Sequence, residues 1–99
     1  MFAIRFEIKA LAELDDLRAF DRTRSLDEIE RNLRKDPHVE SRRKKVLRGL
    51  IPPWHQVGPV WQLRVGDFRV FYDVDAENGV VIVRSIRRKS PHRATEEIL

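Results

Sequence analysis

Ninety-nine residues with 20 Lys and Arg against 16 Asp and Glu, a net charge of +4 and a hydrophobic fraction of 41% fit one domain with a single modest core. No apolar run approaches the ~18 residues of a membrane helix, and the opening MFAIRFEIK alternates instead of forming the apolar block of a secretion signal, so a cytosolic location is expected, with no membrane partner. With no cysteine in the chain, disulfides, thiolate zinc sites and Cys nucleophiles are excluded.

FAIRFEIK sets Phe2, Ile4, Phe6 and Ile8 against Ala3, Arg5, Glu7 and Lys9, the pattern of a strand with one buried face. From Ala10 the period changes. Leu11, Leu14, Leu17 and Phe20 recur three apart, which predicts a short amphipathic helix, and Asp21–Arg24 supplies the turn. Ser25-Leu26-Asp27-Glu28 fits a capping box, in which the Ser and Glu side chains satisfy each other's backbone N–H groups. The second helix it opens buries Leu26, Ile29 and Leu33, and a start nearer Asp21 fits as well. Pro37 lacks an N–H and restricts Asp36, so the helix ends or kinks there. ESRRKKVLRG, residues 40–49, has helical propensity but only Val46 and Leu47 to bury; it reads as a frayed helical turn or an ordered loop. LIPPWHQVGP is a surface loop with Trp54 packed beneath it.

The remainder is sheet. VWQLRV is a strand, Gly66-Asp67 a two-residue hairpin turn, and FRVFYDV its partner. Asn78-Gly79 marks a second turn, and VVIVRSI is the last strand, apolar throughout Val80–Val83 as in a strand buried on both faces. The tail RRKSPHRATEEIL has no clear period. Strand, helix, helix, then a three-stranded antiparallel meander is an α+β order in one domain over residues 1–99, with the helices on one sheet face. With Asp75–Gly79 as the loop, Val74 pairs with Val80; a one-residue slip would exchange Arg84 and Ser85 between faces, so the register of the last strand stays open.

The charge is unevenly placed. Residues 1–40 carry eight basic and ten acidic side chains, residues 41–99 twelve basic and six acidic, and neither Ser41–Gly66 nor Val80–Thr95 contains an acid. The hairpin register opposes Arg64 to Arg69, although like charges directly opposite destabilise a sheet. The same face carries Gln62 and Phe71, and Asp73 lies ~13 Å from Arg69 along the strand, too far to neutralise it. The two arginines extend into water, are bridged by Glu7, or face a polyanion. The acid-free stretches favour the polyanion, because Arg42–Lys45 and Arg87-Arg88-Lys89 converge on the same face. Guanidinium groups hold phosphates and an exposed Phe71 would stack a base. His38, His55 and His92 lack metal-ligand spacing; only His92, in the basic tail, is placed to titrate near neutrality beside the cations. No Gly-rich phosphate loop and no G-x-S-x-G elbow occurs.

This element order, with LRG at Leu47–Gly49 and WQLRVGDFRVFYDVD at Trp61–Asp75, resembles the RelE/ParE superfamily of toxins from type II toxin–antitoxin pairs. Its RelE-like branch is the nearer, through the basic segment Glu40–Lys45 after the second helix. The resemblance implies a toxin that enters the ribosome and cuts messenger RNA without metal or cofactor. The 2′-OH attacks the adjacent phosphate and leaves a 2′,3′-cyclic phosphate. Carried over by position, Arg69 would bind the scissile phosphate, Lys89 or Arg88 would supply the cation after the last strand, and His92 would transfer protons. Arg64, Arg42, Arg43, Lys44, Lys45, Arg48 and Arg87 would hold RNA backbone, with Phe71 beside them. The implied partners are a cognate antitoxin, the ribosome and messenger RNA, with operator DNA reached only through the antitoxin. Two departures keep alternatives open. Val60 and Gln62 stand where active members often carry lysines, and no tyrosine ends the tail. A ParE-like poison of DNA gyrase needs no cleavage residues, and a catalytically inactive homologue would act only in antitoxin and operator complexes.

Overall fold

The computed structural model describes residues 1–56, 58–90 and 94–98. The elements are β1 (Ala3–Phe6), α1 (Ile8–Asp15), α2 (Ala19–Leu33), β2 (Lys44–Leu47), β3 (Val60–Val65), β4 (Phe68–Asp75), β5 (Val80–Arg88) and a short α3 (Thr95–Ile98). They form a five-stranded sheet in the order β1-β5-β4-β3-β2, in which β1 runs parallel to β5 and every other pairing is antiparallel. The α+β class and the central meander are as expected, and β1 and β2 flank the meander on its two edges.

The main core lies between α1, α2 and one sheet face. It joins Ala10 and Leu14 of α1 and Ile29 and Leu33 of α2 to Trp61, Leu63, Val70, Tyr72, Val81, Val83 and Ile86 of the sheet. α2 begins at Ala19, so Ser25 is not a cap. It is fully buried, and with Ile29 and Leu33 it forms a stripe spaced by four residues, one above the other on the same helix face. Its hydroxyl has no partner among the described residues. Phe20, expected in the core, stands 75% exposed at the start of α2. α2 ends at Leu33, short of Pro37; Asp36 adopts a left-handed φ of 53°, and the Lys44 ammonium donates to Asn32 O (3.2 Å) and Asp36 O (2.8 Å).

Residues 44–47 are a strand, not a helical turn or loop. β2 pairs with β3 through Lys44↔Leu63 and Leu47↔Val60, so the edge of β3 decides a conformation that local propensity leaves undecided. The β4–β5 register carries a bulge between Phe71 and Tyr72, which sets Asp75 rather than Val74 opposite Val80. Arg84 falls at this bulge. Its guanidinium donates to Asp73 Oδ2 from Nε (2.9 Å) and Nη2 (2.7 Å), and to Glu7 Oε1 from Nη1 (2.7 Å). Asp73, expected on an open surface, is therefore fully buried against a cation.

Beyond Phe6 the β1 edge is replaced by α1. Glu13 Oε1 accepts from the Ile86 N–H (2.9 Å) and the Ser85 hydroxyl (3.0 Å), satisfying the β5 edge where no strand pairs. A second, smaller core gathers Val60, Phe71 and Ile98 with Leu47, Leu50 and Trp54. Among the described residues, no helix is long and apolar enough to cross a membrane.

Tyr72, the chain's one tyrosine, is fully buried and donates to Pro37 O at 2.7 Å, and burial pushes its ionisation well above the ordinary value of 10.0. The unfolded chain releases this proton near pH 10 and the folded chain holds it, so stability falls as pH rises past about 10. In Tyr72→Phe the alkaline loss of thermal stability should be smaller, at a cost of about 1–2 kcal/mol at neutral pH for the stranded Pro37 carbonyl. Phenolate absorbance growing in the folded protein with a midpoint near 10 would contradict the burial.

Candidate nucleic-acid interface

The cations that gather do so through the backbone of one hairpin. Gly66, at φ +56°, turns β3 into β4 and opposes Arg64 to Arg69 as the sequence predicts. Arg87 continues the row, being the partner of Arg69 on β5. The Arg64 N–H donates to Arg43 O (2.8 Å), which draws the segment before β2 alongside, and the Lys89 N–H donates to Asp67 O (2.7 Å), which ties the end of β5 to the turn. Ser41 shapes the entry to β2, its hydroxyl accepting from the N–H groups of Arg43 and Lys44.

The result is a hollow of about 230 Å³ lined by Ser41, Arg42, Arg43, Lys44, Lys45, Gln62, Arg64, Arg69 and Lys89, with no carboxylate among its walls. Arg69 is half-buried there. Its Nη1 donates to Gly66 O (3.0 Å) and Phe68 O (2.9 Å), so the turn's own carbonyls fix the guanidinium plane. Burial lowers its pKa, and the facing Arg64 charge lowers it further, with the Asp67 carboxylate opposing them in part. The opposed charges therefore press on one another. Among the described residues, neither Arg64 nor Arg69 forms an ion pair with a carboxylate. Glu7, the acid considered as a bridge between them, is held by Arg84 and lies 3.7 Å from Arg5.

The remaining candidates divide. Arg42, Lys45 and Lys89 face the hollow. Arg43 also lines it, with one arm 3.0 Å from Glu28 Oε2. Lys44 lines it too but is 7% exposed and turned onto the end of α2, and desolvation lowers its pKa. Arg87 lies 3.1 Å from Glu13 Oε2 in an ion pair not aligned as a hydrogen bond, so it is already countered. Arg88 is exposed over the Phe68 ring (4.7 Å) and 3.8 Å from Asp67. Arg48 sits exposed in the turn after β2, outside the hollow. Phe71 is not available for stacking: it is fully buried, 6.4 Å from the Trp54 ring. His92 lies outside the described residues.

Sequence reasoning placed Lys45 and Gln62 at this face without pairing them, and it missed Arg24. Gln62, which stands where a lysine was looked for, is 5% exposed and accepts from Thr95 Oγ1 (3.3 Å), while its neighbour across the pair, Lys45 of β2, brings an ammonium to the same wall. Arg24 of α2 reaches the hairpin turn from the helical side, and no sequence spacing announces that contact.

Fold and hollow together define a small, basic α+β protein with a flanked meander and a cationic recess at its central turn. The same fold is found in the archaeal RelE–RelB complex of Pyrococcus horikoshii OT3 (21% identity, TM-score 0.70, covering 94% of this chain and 98% of that one). It recurs in the intact Escherichia coli RelBE toxin–antitoxin complex (24%, 0.66, 93% and 100%). A mutant E. coli RelE bound to an antitoxin RelBc peptide is also similar (26%, 0.65, 96% and 87%). No curated protein matches the chain. Residues 4–90 match the family described as the ParE toxin of the type II toxin–antitoxin system, parDE. The chain belongs to that family and is a type II toxin of the RelE/ParE superfamily.

Removing one of two opposed cations should relieve their repulsion. Arg64→Gln is expected to raise stability by about 0.5 kcal/mol, or about 3 °C in melting temperature, with the gain shrinking at high salt. Calorimetry at low and high NaCl checks this; an unchanged or lowered midpoint at low salt would contradict the unneutralised pair.

Proposed function

We propose that this toxin is a metal-independent, ribosome-dependent endoribonuclease that cuts messenger RNA and halts translation. The observation that carries the reading is the acid-free hollow in which Arg69, locked by its turn, faces Arg64 with Lys45 and Lys89 alongside. In-line attack of a 2′-oxygen on the neighbouring phosphorus forms the cyclic phosphate and breaks the bond to the 5′-oxygen, so negative charge builds on the non-bridging oxygens. Fixed guanidinium and ammonium groups stabilise that charge without reorganising, which is usually the largest single catalytic term. Arg69 is assigned to the scissile phosphate, Lys89 (with Arg88 one residue before it) to the phosphorane, and Arg42, Arg43 and Arg64 to the flanking backbone. Lys44, Arg48 and Arg87 are secondary contacts at most, given their placement. His92, three residues after Lys89, is assigned to proton transfer.

The partners follow from the same reading. An acidic antitoxin segment over the Arg64/Arg69 face would supply the countercharge and block RNA, as suits a fold shared with toxin–antitoxin complexes. Operator DNA is then reached through the antitoxin, and the ribosome presents the message.

A second reading is favoured by the family match itself, by Val60 and Gln62 at the expected lysine positions, and by the burial of Phe71. A poison of DNA gyrase would require none of these groups for cleavage. A toxin that has lost activity would give no growth phenotype.

Arg69→Ala should lower cleavage about 10²–10³-fold, as for loss of one charge-stabilising donor, and abolish growth arrest while the protein stays folded and still captures its antitoxin, with an affinity reduced by the one lost countercharge contact. Messages cut within codons after induction support the nuclease; gyrase-linked DNA breaks with intact messages would replace it with the second reading.

A further inference from the structure

The hollow at Arg69 has a neighbour. On the other side of the Arg43–Arg64–Arg69 wall lies a second recess of about 370 Å³, closed by Arg24 and Glu28 of α2 and by the Gly66–Asp67 turn. The Arg24 guanidinium comes up beside that turn. A Cβ on Gly66 would sit 2.8 Å from Arg24 Nη1 and 3.3 Å from its Cζ, so the bare glycine lets the guanidinium approach the turn backbone. The acids here are already engaged. Glu28 is held by Arg31 (3.2 Å), Arg43 (3.0 Å) and the Asn32 amide (2.9 Å), and Asp67 lies 3.8 Å from Arg88. Arg24 is exposed and forms no ion pair among the described residues. An exposed cation beside the turn that pairs with no carboxylate among the described residues, one wall away from the primary phosphate position, has the chemistry of a second anion site.

Resting on the nuclease reading, we propose that Arg24, across the shared Arg43–Arg64 wall, binds the phosphate next along a single-stranded RNA from the one held by Arg69. The bound strand then passes over the hairpin turn from the open sheet face to the α2 side. Arg24 is a positioning residue: it fixes the strand and takes no part in bond breaking.

The test uses the full-length toxin and two non-cleavable 2′-O-methyl probes, a dinucleotide with one phosphodiester, followed by NMR, and an octanucleotide, followed by fluorescence anisotropy across a salt series. Arg24→Gln should weaken the octanucleotide several-fold at low salt and reduce its salt slope by about 0.7, the value for one phosphate of a single strand. Dinucleotide binding should be unchanged, and Arg24→Lys should recover most of the affinity. Arg69→Gln should weaken both probes. Octanucleotide binding unaltered by Arg24→Gln overturns the second site and leaves the nuclease reading standing; equal weakening of both probes overturns it as well, since Arg24 would then act through Arg69. A wild-type toxin that binds neither probe overturns the second site as a feature of the toxin itself, while messages left intact on induction would overturn the nuclease reading.

Discussion

The two-residue turn at Gly66–Asp67 fixes the register of the β3–β4 hairpin, and that register is what the rest of the molecule is arranged around. It sends Leu63, Val65 and Val70 into the core beneath the helices, and it leaves Arg64 and Arg69 side by side on the other face. A slip by one residue would reverse both assignments at once. The hydrophobic core therefore enforces a repulsive arrangement that the two arginines, left to themselves, would avoid. The same backbone recruits further cations, through Arg64 N–H to the Arg43 carbonyl and through Lys89 N–H to the Asp67 carbonyl. Fold and recess share one determinant.

The bareness of the recess comes from placement, because the chain has 16 carboxylates. Glu7 and Asp73 enclose Arg84, Glu13 holds the β5 edge and faces Arg87, Glu28 holds Arg31 and Arg43, and Glu30 pairs with Arg34. Each of these acids serves a strand edge, a bulge or a helix surface. The buried Arg84 cluster is the clearest contrast with the recess: there a guanidinium is matched on both sides and nearly dry, whereas Arg69 is bonded to carbonyl dipoles and feels the Asp67 carboxylate only at longer range. A site of this kind stabilises an arriving negative charge more than one whose cations are already paired, because no internal ion pair must first be broken.

Much of this was legible in the residues, and the failures have identifiable causes. The hairpin was readable because Gly-Asp between two alternating runs admits one tight turn, and that turn alone predicts the Arg64–Arg69 opposition. β2 was not readable. Arg-Arg-Lys-Lys-Val-Leu shows neither a period of two nor of 3.6, and it becomes a strand by pairing with β3 and anchoring Lys44 under α2. Ser25 matched a capping pattern because a small residue at a tight helix–sheet contact and a Glu three positions on satisfy the same spacing; the sheet, absent from any local window, decides between them. Phe71 was assigned by strand alternation to an open face, and the alternation was right. What covers that face is the loop carrying Trp54 and the distant Ile98, which pattern does not connect to β4. The bulge at Phe71/Tyr72, and with it the Arg84 cluster, has no signature in the sequence short of the carboxylates it collects.

The central claim is that Arg64 and Arg69 are held together, in no ion pair among the described residues, to receive phosphate. Arginine side-chain N–H resonances, followed by NMR as a non-cleavable single-stranded oligoribonucleotide is added at low salt, report on it directly. The account predicts that the Arg64 and Arg69 signals shift first and saturate together while Arg84 and Arg34, already paired with carboxylates, stay in place. Small uniform shifts across all arginines, or movement led by groups remote from the hairpin turn, would contradict it.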